Sequence, residues 1–211
     1  MKIAFLGDSI TLGYGLEDQN ERFTGKVCSM LGAEEENYGI TGTLMSQAGL
    51  NRHDQYSFLN RLDLIASADI AVVFGGTNDY FWSDREIYGD GDEYFSHAVD
   101  FICRYICKER LGKKTLLVTP YPHHGTGNYL GGETWNTSNE HDTDALNFNG
   151  HRLLDYVDVI EKTGEKYGLP VLNLHKEAGF DWTKHTMDGC HPNGYGHSWL
   201  ADKIFAKLKS M

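Results

Sequence analysis

The sequence predicts an α/β fold in which helices cover both faces of a parallel sheet. Five short strand-like segments alternate with amphipathic helical segments along the 211 residues. One strand, Ile70–Phe74, is apolar throughout, as is typical of a strand buried on both faces. No internal repeat or interdomain linker interrupts the alternation. We therefore expect one domain over residues 1–211, built as a three-layer α/β/α arrangement around a five-stranded parallel sheet.

The first half of the chain contains three of these strands. Residues 3–7 (IAFLG) form an apolar strand, and apolar positions at helical spacing predict an amphipathic helix over Phe23–Leu31. A short second strand is predicted at residues 36–38 and a helix at 55–65. The β-branched run Ile70–Phe74 is the third strand.

The second half continues the pattern. Residues 94–109 are predicted to be a helix and 115–118 the fourth strand. Residues 144–167 are predicted to be a helix that ends before Gly168 and Pro170, which are stop signals. A strand at 171–174 and a helix at 193–209 follow. Residues 121–143 are polar and rich in glycine. We expect a loop insertion there with a functional role, since long loops in compact domains are usually functional or mobile.

Composition excludes several classes of function. The formal net charge is −11 with no dense Lys/Arg cluster, which disfavours nucleic acid as a partner. No apolar run approaches the roughly 20 residues that span a bilayer, and the first residues do not resemble a signal peptide. The four cysteines lack the spacing of a zinc site. We expect a cytoplasmic protein with reduced thiols and neither metal nor organic cofactor; its oligomeric state is left open.

Four polar segments lie where strands end. Ligands of open parallel sheets bind beyond the carboxyl ends of the strands. The segments after strands one, two, three and five read GDSIT (7–11), GITGT (39–43), GGTND (75–79) and DGCHPN (188–193). We expect them to meet at one edge of the sheet.

These segments contain the groups that acyl transfer requires. The hydroxyl of Ser9 is a poor nucleophile until a base takes its proton, and neutral His191 suits that role. Asp188, three residues earlier, can bind the other ring nitrogen of His191. The developing oxyanion needs donors. The backbone N–H groups of Ser9 and Gly42 and the side-chain amide of Asn78 are the candidates.

The four blocks resemble those of the SGNH hydrolases, also called the GDSL esterase/lipase family, and they cover the chain from Gly7 to Asn193. The resemblance implies catalytic Ser9, Asp188 and His191 and the sheet order 2-1-3-4-5, which is flavodoxin-like. It also favours Gly42 over Gly39, because the family glycine follows a small residue in the pattern Asn-x-x-x-small-Gly. Isoleucine replaces the leucine of the family name, which is a conservative change.

Each candidate also has a structural interpretation. A serine after Gly-Asp is often a turn or cap residue, and we expect Asp8 to cap the turn and Asp79 to hold its loop. Tyr80, Trp82 and Trp135 either line a substrate pocket or are partly buried under the insertion. His123 either contacts substrate or is only a polar loop residue.

The sequence thus predicts a serine esterase that cleaves small-molecule carboxylic esters through a covalent acyl-enzyme. The polar, aromatic-bearing insertion favours a short, acetyl-type acyl group on a polar or carbohydrate alcohol. Three alternatives remain: a lysophospholipase or thioesterase type of acyl hydrolase, an acyltransferase on the same fold, and a non-catalytic binding protein.

Overall fold

A five-stranded parallel sheet forms the centre of the protein. The computed structural model describes residues 1–48, 54–123, 146–147 and 149–211. The strand order is β2-β1-β3-β4-β5, which confirms the predicted fold class and order. The strands are β1 (Lys2–Gly7), β2 (Glu34–Gly39), β3 (Ile70–Phe74), β4 (Lys114–Val118) and β5 (Val171–Leu172).

Helices pack around this sheet. The α-helices are α1 (Ser9–Leu12), α2 (Phe23–Leu31), α3 (Thr77–Trp82), α4 (Phe95–Glu109), α5 (Leu153–Lys166), α6 (Trp182–His185) and α7 (Gly194–Ser210). Short 3₁₀ helices cover Gln19–Glu21, Asp54–Tyr56 and Phe58–Ile65.

The two faces of the sheet have separate cores because successive strand residues point to opposite sides. In β1, Ala4 and Leu6 pack with the 3₁₀ helix Phe58–Ile65 and with helices α4 and α5. Ile3 and Phe5 face the other way, toward α2 and α7. The result is the three-layer arrangement that the sequence predicts. The expectation of a single domain over 1–211 stays a prediction.

Several boundaries differ from those predicted. The second strand is longer, and the helix expected at 55–65 consists of two 3₁₀ segments separated at Ser57. There the Phe58 amide bonds the Leu44 carbonyl, 3.0 Å away, instead of a carbonyl of its own segment. The fifth strand stops at Leu172, because the Leu174 amide donates to the Thr119 hydroxyl at 3.0 Å.

The long helix also begins later than predicted. It covers Leu153–Lys166 rather than 144–167, since Gly150 adopts a left-handed backbone with φ of 79° and its amide closes a turn onto the Asn147 carbonyl. The short helices α1 and α3 have no counterpart in the predicted elements. Most of the insertion predicted at 121–143 lies outside the described residues.

No helix among the described residues is long and apolar enough to cross a membrane. The four cysteines are free thiols. Within the same described ranges, no group of three or more His, Cys, Asp and Glu side chains is arranged to hold a metal ion.

Candidate active site

Ser9 lies in a tight turn directly behind β1, the strand between β2 and β3. Asp8 is the N-cap of α1 and accepts a hydrogen bond from the Ile10 amide at 2.9 Å, as expected for its capping role. Gly13 ends this one-turn helix in a left-handed conformation. The turn therefore holds Ser9, which is only 5% exposed, at the carboxyl edge of the sheet.

Three side chains from the two ends of the chain form a hydrogen-bonded row. The Ser9 Oγ atom lies 3.0 Å from His191 Nε2, and His191 Nδ1 lies 2.7 Å from Asp188 Oδ2. A carboxylate only accepts, so Nδ1 carries the ring proton and Nε2 presents its lone pair to the serine hydroxyl. This is the tautomer that a general base needs.

The Asp188 carboxyl is held in its ionised form. Partial burial by itself would raise its pKa, but hydrogen bonds from the ring and amide of His191 and from the Cys190 amide outweigh that effect and lower the pKa to about 2. The side chain is therefore a carboxylate throughout the neutral range and can accept a hydrogen bond from the proton-bearing Nδ1 of His191.

Hydrogen bonds from the backbone and from side chains hold the loop that carries His191. The Met187 amide donates to the His191 carbonyl at 2.9 Å. From the interior, the hydroxyl of the buried Tyr121 donates a hydrogen bond to the Cys190 carbonyl at 2.6 Å. Asn193 caps α7 by accepting from the Tyr195 and Gly196 amides. His191 thus occupies a loop that is anchored on both sides.

Asn78 approaches the site from the other flank of β1. It lies on α3 and is 7% exposed, and its Nδ2 donates to the Thr43 carbonyl at 2.9 Å. A side-chain amide has two N–H donors, so this bond uses one of them. The amide therefore still has a donor while it is tied to the loop that follows β2.

Asp79 clamps that loop to α3. Its carboxylate accepts from the amides of Met45 and Ser46 at 2.8 and 3.0 Å and from the Ser46 hydroxyl at 2.7 Å. Complete burial raises the pKa of this carboxyl despite those bonds. Asp79 was predicted to hold its own loop; these hydrogen bonds instead hold the loop that follows β2.

The two glycines of the second block occupy different environments. A Cβ on Gly39 would lie 2.3 Å from the Leu12 nitrogen, so Gly39 permits α1 to pack on β2, and its amide already donates to Asn37 Oδ1. Gly42 has φ of 75°, a left-handed conformation that reverses the chain before Thr43. These environments favour Gly42 as the oxyanion donor.

Two of the predicted substrate contacts are buried. Tyr80 and His123 are each 2% exposed and pack in one aromatic cluster, with ring centroids 6.1 Å apart. Trp82 is half-buried against the core. Their role in binding stays a prediction, and Trp135 lies outside the described residues.

Tyr14 was not identified from the sequence. Its ring centroid is 4.9 Å from that of His191, and 51% of the residue is exposed. The Tyr14 amide donates to the Ser9 carbonyl at 2.9 Å, which holds the Tyr14 backbone next to the turn that carries Ser9. Met187, 45% exposed, lies over Gly15 next to it. The only available signal was position, five residues after Ser9 and just beyond the first block.

Comparison with known proteins points to one family. The family model of GDSL-like lipases and acylhydrolases matches residues 5–199. An acetylxylan esterase of Xylanibacter ruminicola is 25% identical over 99% of this chain. The chain spans less than half of that relative, 43% of its length.

Solved structures share the fold. A protein from Lactobacillus plantarum has a TM-score of 0.79 and 25% identity, covering 99% of this chain and 96% of its own. The acetyl xylan esterase AlAXEase has a TM-score of 0.67 and 23% identity, covering 99% of this chain and 100% of its own. A carbohydrate acetylesterase family member from Sinorhizobium meliloti has a TM-score of 0.69 and 14% identity over 99% of this chain and 97% of its own.

Proposed function

Because the chain belongs to the GDSL-like lipase/acylhydrolase family, we propose that it hydrolyses carboxylic esters through a covalent acyl-enzyme formed on Ser9. The observation that carries this proposal is the row in which His191 lies 3.0 Å from the Ser9 hydroxyl and 2.7 Å from Asp188. A base within hydrogen-bond reach of a serine, itself oriented by a carboxylate, is the arrangement that activates a hydroxyl.

In the acylation step, Ser9 Oγ attacks the ester carbonyl carbon while His191 Nε2 takes the hydroxyl proton. Asp188 keeps Nδ1 protonated and stabilises the imidazolium. The tetrahedral intermediate then collapses, the bond to the alcohol breaks, and His191 returns its proton to the departing oxygen. Ser9 is left as an acyl ester.

Deacylation repeats these steps with water. His191 takes a proton from water, the hydroxide oxygen attacks the acyl carbon, and the proton returns to Ser9 as the carboxylic acid leaves. In both steps the negative oxygen is stabilised by the amides of Ser9 and Gly42 and by the side-chain amide of Asn78. The bond from Asn78 to the Thr43 carbonyl supports this assignment, since it ties two of the donor segments together.

The substrate we favour is a short, acetyl-type ester of a polar or carbohydrate alcohol. Two observations support it. A sequence relative is named acetylxylan esterase, and solved structures named as an acetyl xylan esterase and as a carbohydrate acetylesterase family member share the fold. In addition, the exposed ring of Tyr14 lies beside His191, which is where the departing alcohol collects its proton. Sugar rings present C–H faces that pack well on aromatic side chains.

Turnover of p-nitrophenyl acetate by wild type and Ser9→Ala tests the reaction. We expect the variant to lose kcat by about 10⁴- to 10⁶-fold, because no other group replaces the nucleophile. Wild type, but not Ser9→Ala, should be labelled covalently by a fluorophosphonate. If wild type and variant were equally inactive and neither were labelled, the chain would be a binding protein and the proposal would be wrong.

A substrate series tests the specificity. We expect kcat/KM to fall from acetyl to octanoyl esters and to be higher for acetylated xylo-oligosaccharides than for lysophospholipids or acyl thioesters. A preference for long acyl chains would instead identify a lysophospholipase type. Product analysis with competing alcohols separates hydrolysis from acyl transfer, since a transferase would form new esters in water.

A further inference from the structure

Arg61 is a buried arginine that the proposed chemistry does not use. It lies on the 3₁₀ helix Phe58–Ile65, and only 5% of the residue is exposed. Burial lowers the pKa of its guanidinium to about 10, so the group still carries its charge at neutral pH. A buried cation is costly unless hydrogen bonds satisfy it, so its partners indicate what it stabilises.

Each nitrogen of this guanidinium has an acceptor. Nη2 donates to the Gly7 carbonyl at 3.2 Å and to the Thr43 hydroxyl at 3.0 Å. Nη1 donates to the Tyr38 carbonyl at 2.6 Å, and Nε donates to the Tyr56 carbonyl at 2.7 Å. The side chain also packs on Phe58, with its central carbon 5.2 Å from the ring centroid. The planar fork is therefore fixed in one orientation.

The acceptors belong to the segments that surround the nucleophile. Gly7 ends β1 and stands two residues before Ser9, whereas Tyr38 lies near the end of β2. Thr43 follows Gly42, and its carbonyl accepts the bond from Asn78. A single rigid group therefore links the end of the nucleophile strand to the loop that carries Gly42 and is hydrogen-bonded to Asn78.

We propose that Arg61 is a positioning residue that sets the spacing between Ser9 and the Gly42–Thr43 loop, and hence the alignment of the oxyanion donors with the ester carbon. This inference rests on the proposed function. Donors contribute fully only when they face the position that the oxyanion occupies, and a shift of about 1 Å can cost about 100-fold in rate. Loss of the guanidinium geometry should therefore affect the transition state more than substrate binding.

Arg110, which follows the end of α4, provides a matched control. It is 2% exposed and also donates to backbone carbonyls, including those of Ala68 and Lys114 at 3.1 and 3.0 Å, and to the Thr115 hydroxyl at 2.9 Å. These acceptors lie where β3 and β4 begin, at the edge opposite the candidate site. The two arginines thus share burial and bonding but differ in location.

The experiment compares Arg61→Lys with Arg110→Lys. Lysine keeps the positive charge but cannot reproduce the planar fork. We expect Arg61→Lys to lower kcat and kcat/KM on p-nitrophenyl acetate alike, by about 10- to 100-fold, with KM nearly unchanged. Arg110→Lys should lower the melting temperature but leave kcat and KM near wild type when both are assayed well below the transition.

Thr43→Val tests the same contact without altering the arginine. It removes the hydroxyl that accepts from Nη2 and that also donates to the Ile40 carbonyl at 2.8 Å, and it should reduce kcat in the same direction. In the double variant Arg61→Lys/Thr43→Val the losses should be smaller than the product of the single effects, because the loss of the bond between Nη2 and the Thr43 hydroxyl is common to both changes. The single variant Thr43→Val keeps the inference testable if Arg61→Lys does not fold.

Amide hydrogen exchange gives a readout that needs no substrate. We expect Arg61→Lys to speed exchange in residues 40–48, where the Thr43, Met45 and Ser46 amides are hydrogen-bonded, while Arg110→Lys does not. Wild-type kcat in folded Arg61→Lys, or equal losses in both arginine variants, would overturn the positioning role. If wild type itself proved inactive, faster exchange would still show the positioning, and only the proposed function would fail.

Discussion

The pKa values of the individual carboxyl groups in the candidate site differ because their surroundings differ. Asp188, half-exposed and bonded by His191, has its pKa lowered to about 2. Asp8, one residue before the nucleophile, is buried, and loss of solvent raises its pKa to about 6 although the Ile10 amide donates to it. The same functional group therefore serves as a permanent anion in one position and as a turn cap in the other.

Asp188→Asn tests the role of the anion. Asparagine can still accept from the loop amides but cannot stabilise an imidazolium or select the correct tautomer, so we expect kcat to fall by about 10³- to 10⁴-fold. Steady-state kinetics on p-nitrophenyl acetate measure it.

Asp181→Asn is the matched control, because Asp181 also has a pKa lowered to about 2 by hydrogen bonds from Lys184 and Thr183 but caps α6 away from Ser9. Asparagine remains a good cap, so its kcat should match wild type. Comparable losses in both variants would indicate a general effect on the loop.

At the level of elements, the site depends on short connections between strands and helices. Helices α1 and α3 place Ser9 and Asn78 directly behind β1 and β3, and the segment after β4 reaches across to the histidine loop through Tyr121. These connections converge because the carboxyl ends of parallel strands lie at the same edge of the sheet. The elements therefore define the distances between groups that come from remote parts of the chain.

Tyr121→Phe tests the connection from β4. The change leaves the buried Cys190 carbonyl without its phenol donor, which should reduce the free energy of unfolding by about 1–2 kcal/mol. Because the loop carries His191, kcat should also fall, by about 3- to 10-fold if part of that energy is lost in positioning. Urea unfolding and steady-state kinetics measure the two effects.

Tyr156→Phe is the paired control, since this buried hydroxyl bonds Asn147 rather than the histidine loop. A similar loss of stability with unchanged kcat is expected. An effect on kcat from Tyr156→Phe alone would contradict the assignment to Tyr121.

At the level of the whole molecule, stability depends on how the layers meet. On the face covered by α2 and α7, His197 is fully buried, stacks on Phe23 with centroids 5.8 Å apart and accepts from the Phe23 amide at 3.3 Å. Burial lowers its pKa to about 3, and the nearby Lys26 and Arg22 charges act in the same direction. The folded protein thus holds this ring neutral.

The pH dependence of stability follows from this ring. In the unfolded chain histidine has a pKa of about 6.5, so below that pH the unfolded state binds a proton at this residue. The folded state does not bind it until the pH approaches 3. The contribution of neutral His197 to the free energy of unfolding is therefore complete above about pH 6.5, and it is lost progressively as the pH falls toward 3. Between pH 7 and 5 the loss from this group is about 2 kcal/mol.

His197→Asn isolates the effect, because asparagine can still accept from the Phe23 amide but does not titrate. Wild type should lose about 2 kcal/mol more than the variant between pH 7 and 5, measured by urea unfolding at each pH. The raised pKa of Asp8 acts in the opposite sense, since folding favours its protonated form, but it is common to both proteins and cancels. Parallel pH profiles would show that His197 is not the cause.

The sequence by itself determined the alternation of elements, the fold class and the four blocks, because hydrophobic periodicity and short motifs are local properties. It also singled out Ser9, Asp188 and His191 as candidates. Boundaries such as that of α5 were wrong because they depend on one turn residue, Gly150, whose left-handed backbone no periodicity reports.

Only the tertiary structure decided how the candidates meet. Ser9 and His191 are 182 residues apart in sequence yet 3.0 Å apart in space, and the spacing that joins them is set by the sheet. The placement of Tyr14 beside His191 and the four contacts of Arg61 likewise depend on segments that are remote in the chain. Such contacts leave no local pattern in the sequence, because each partner residue, considered by itself, resembles an ordinary loop or helix residue.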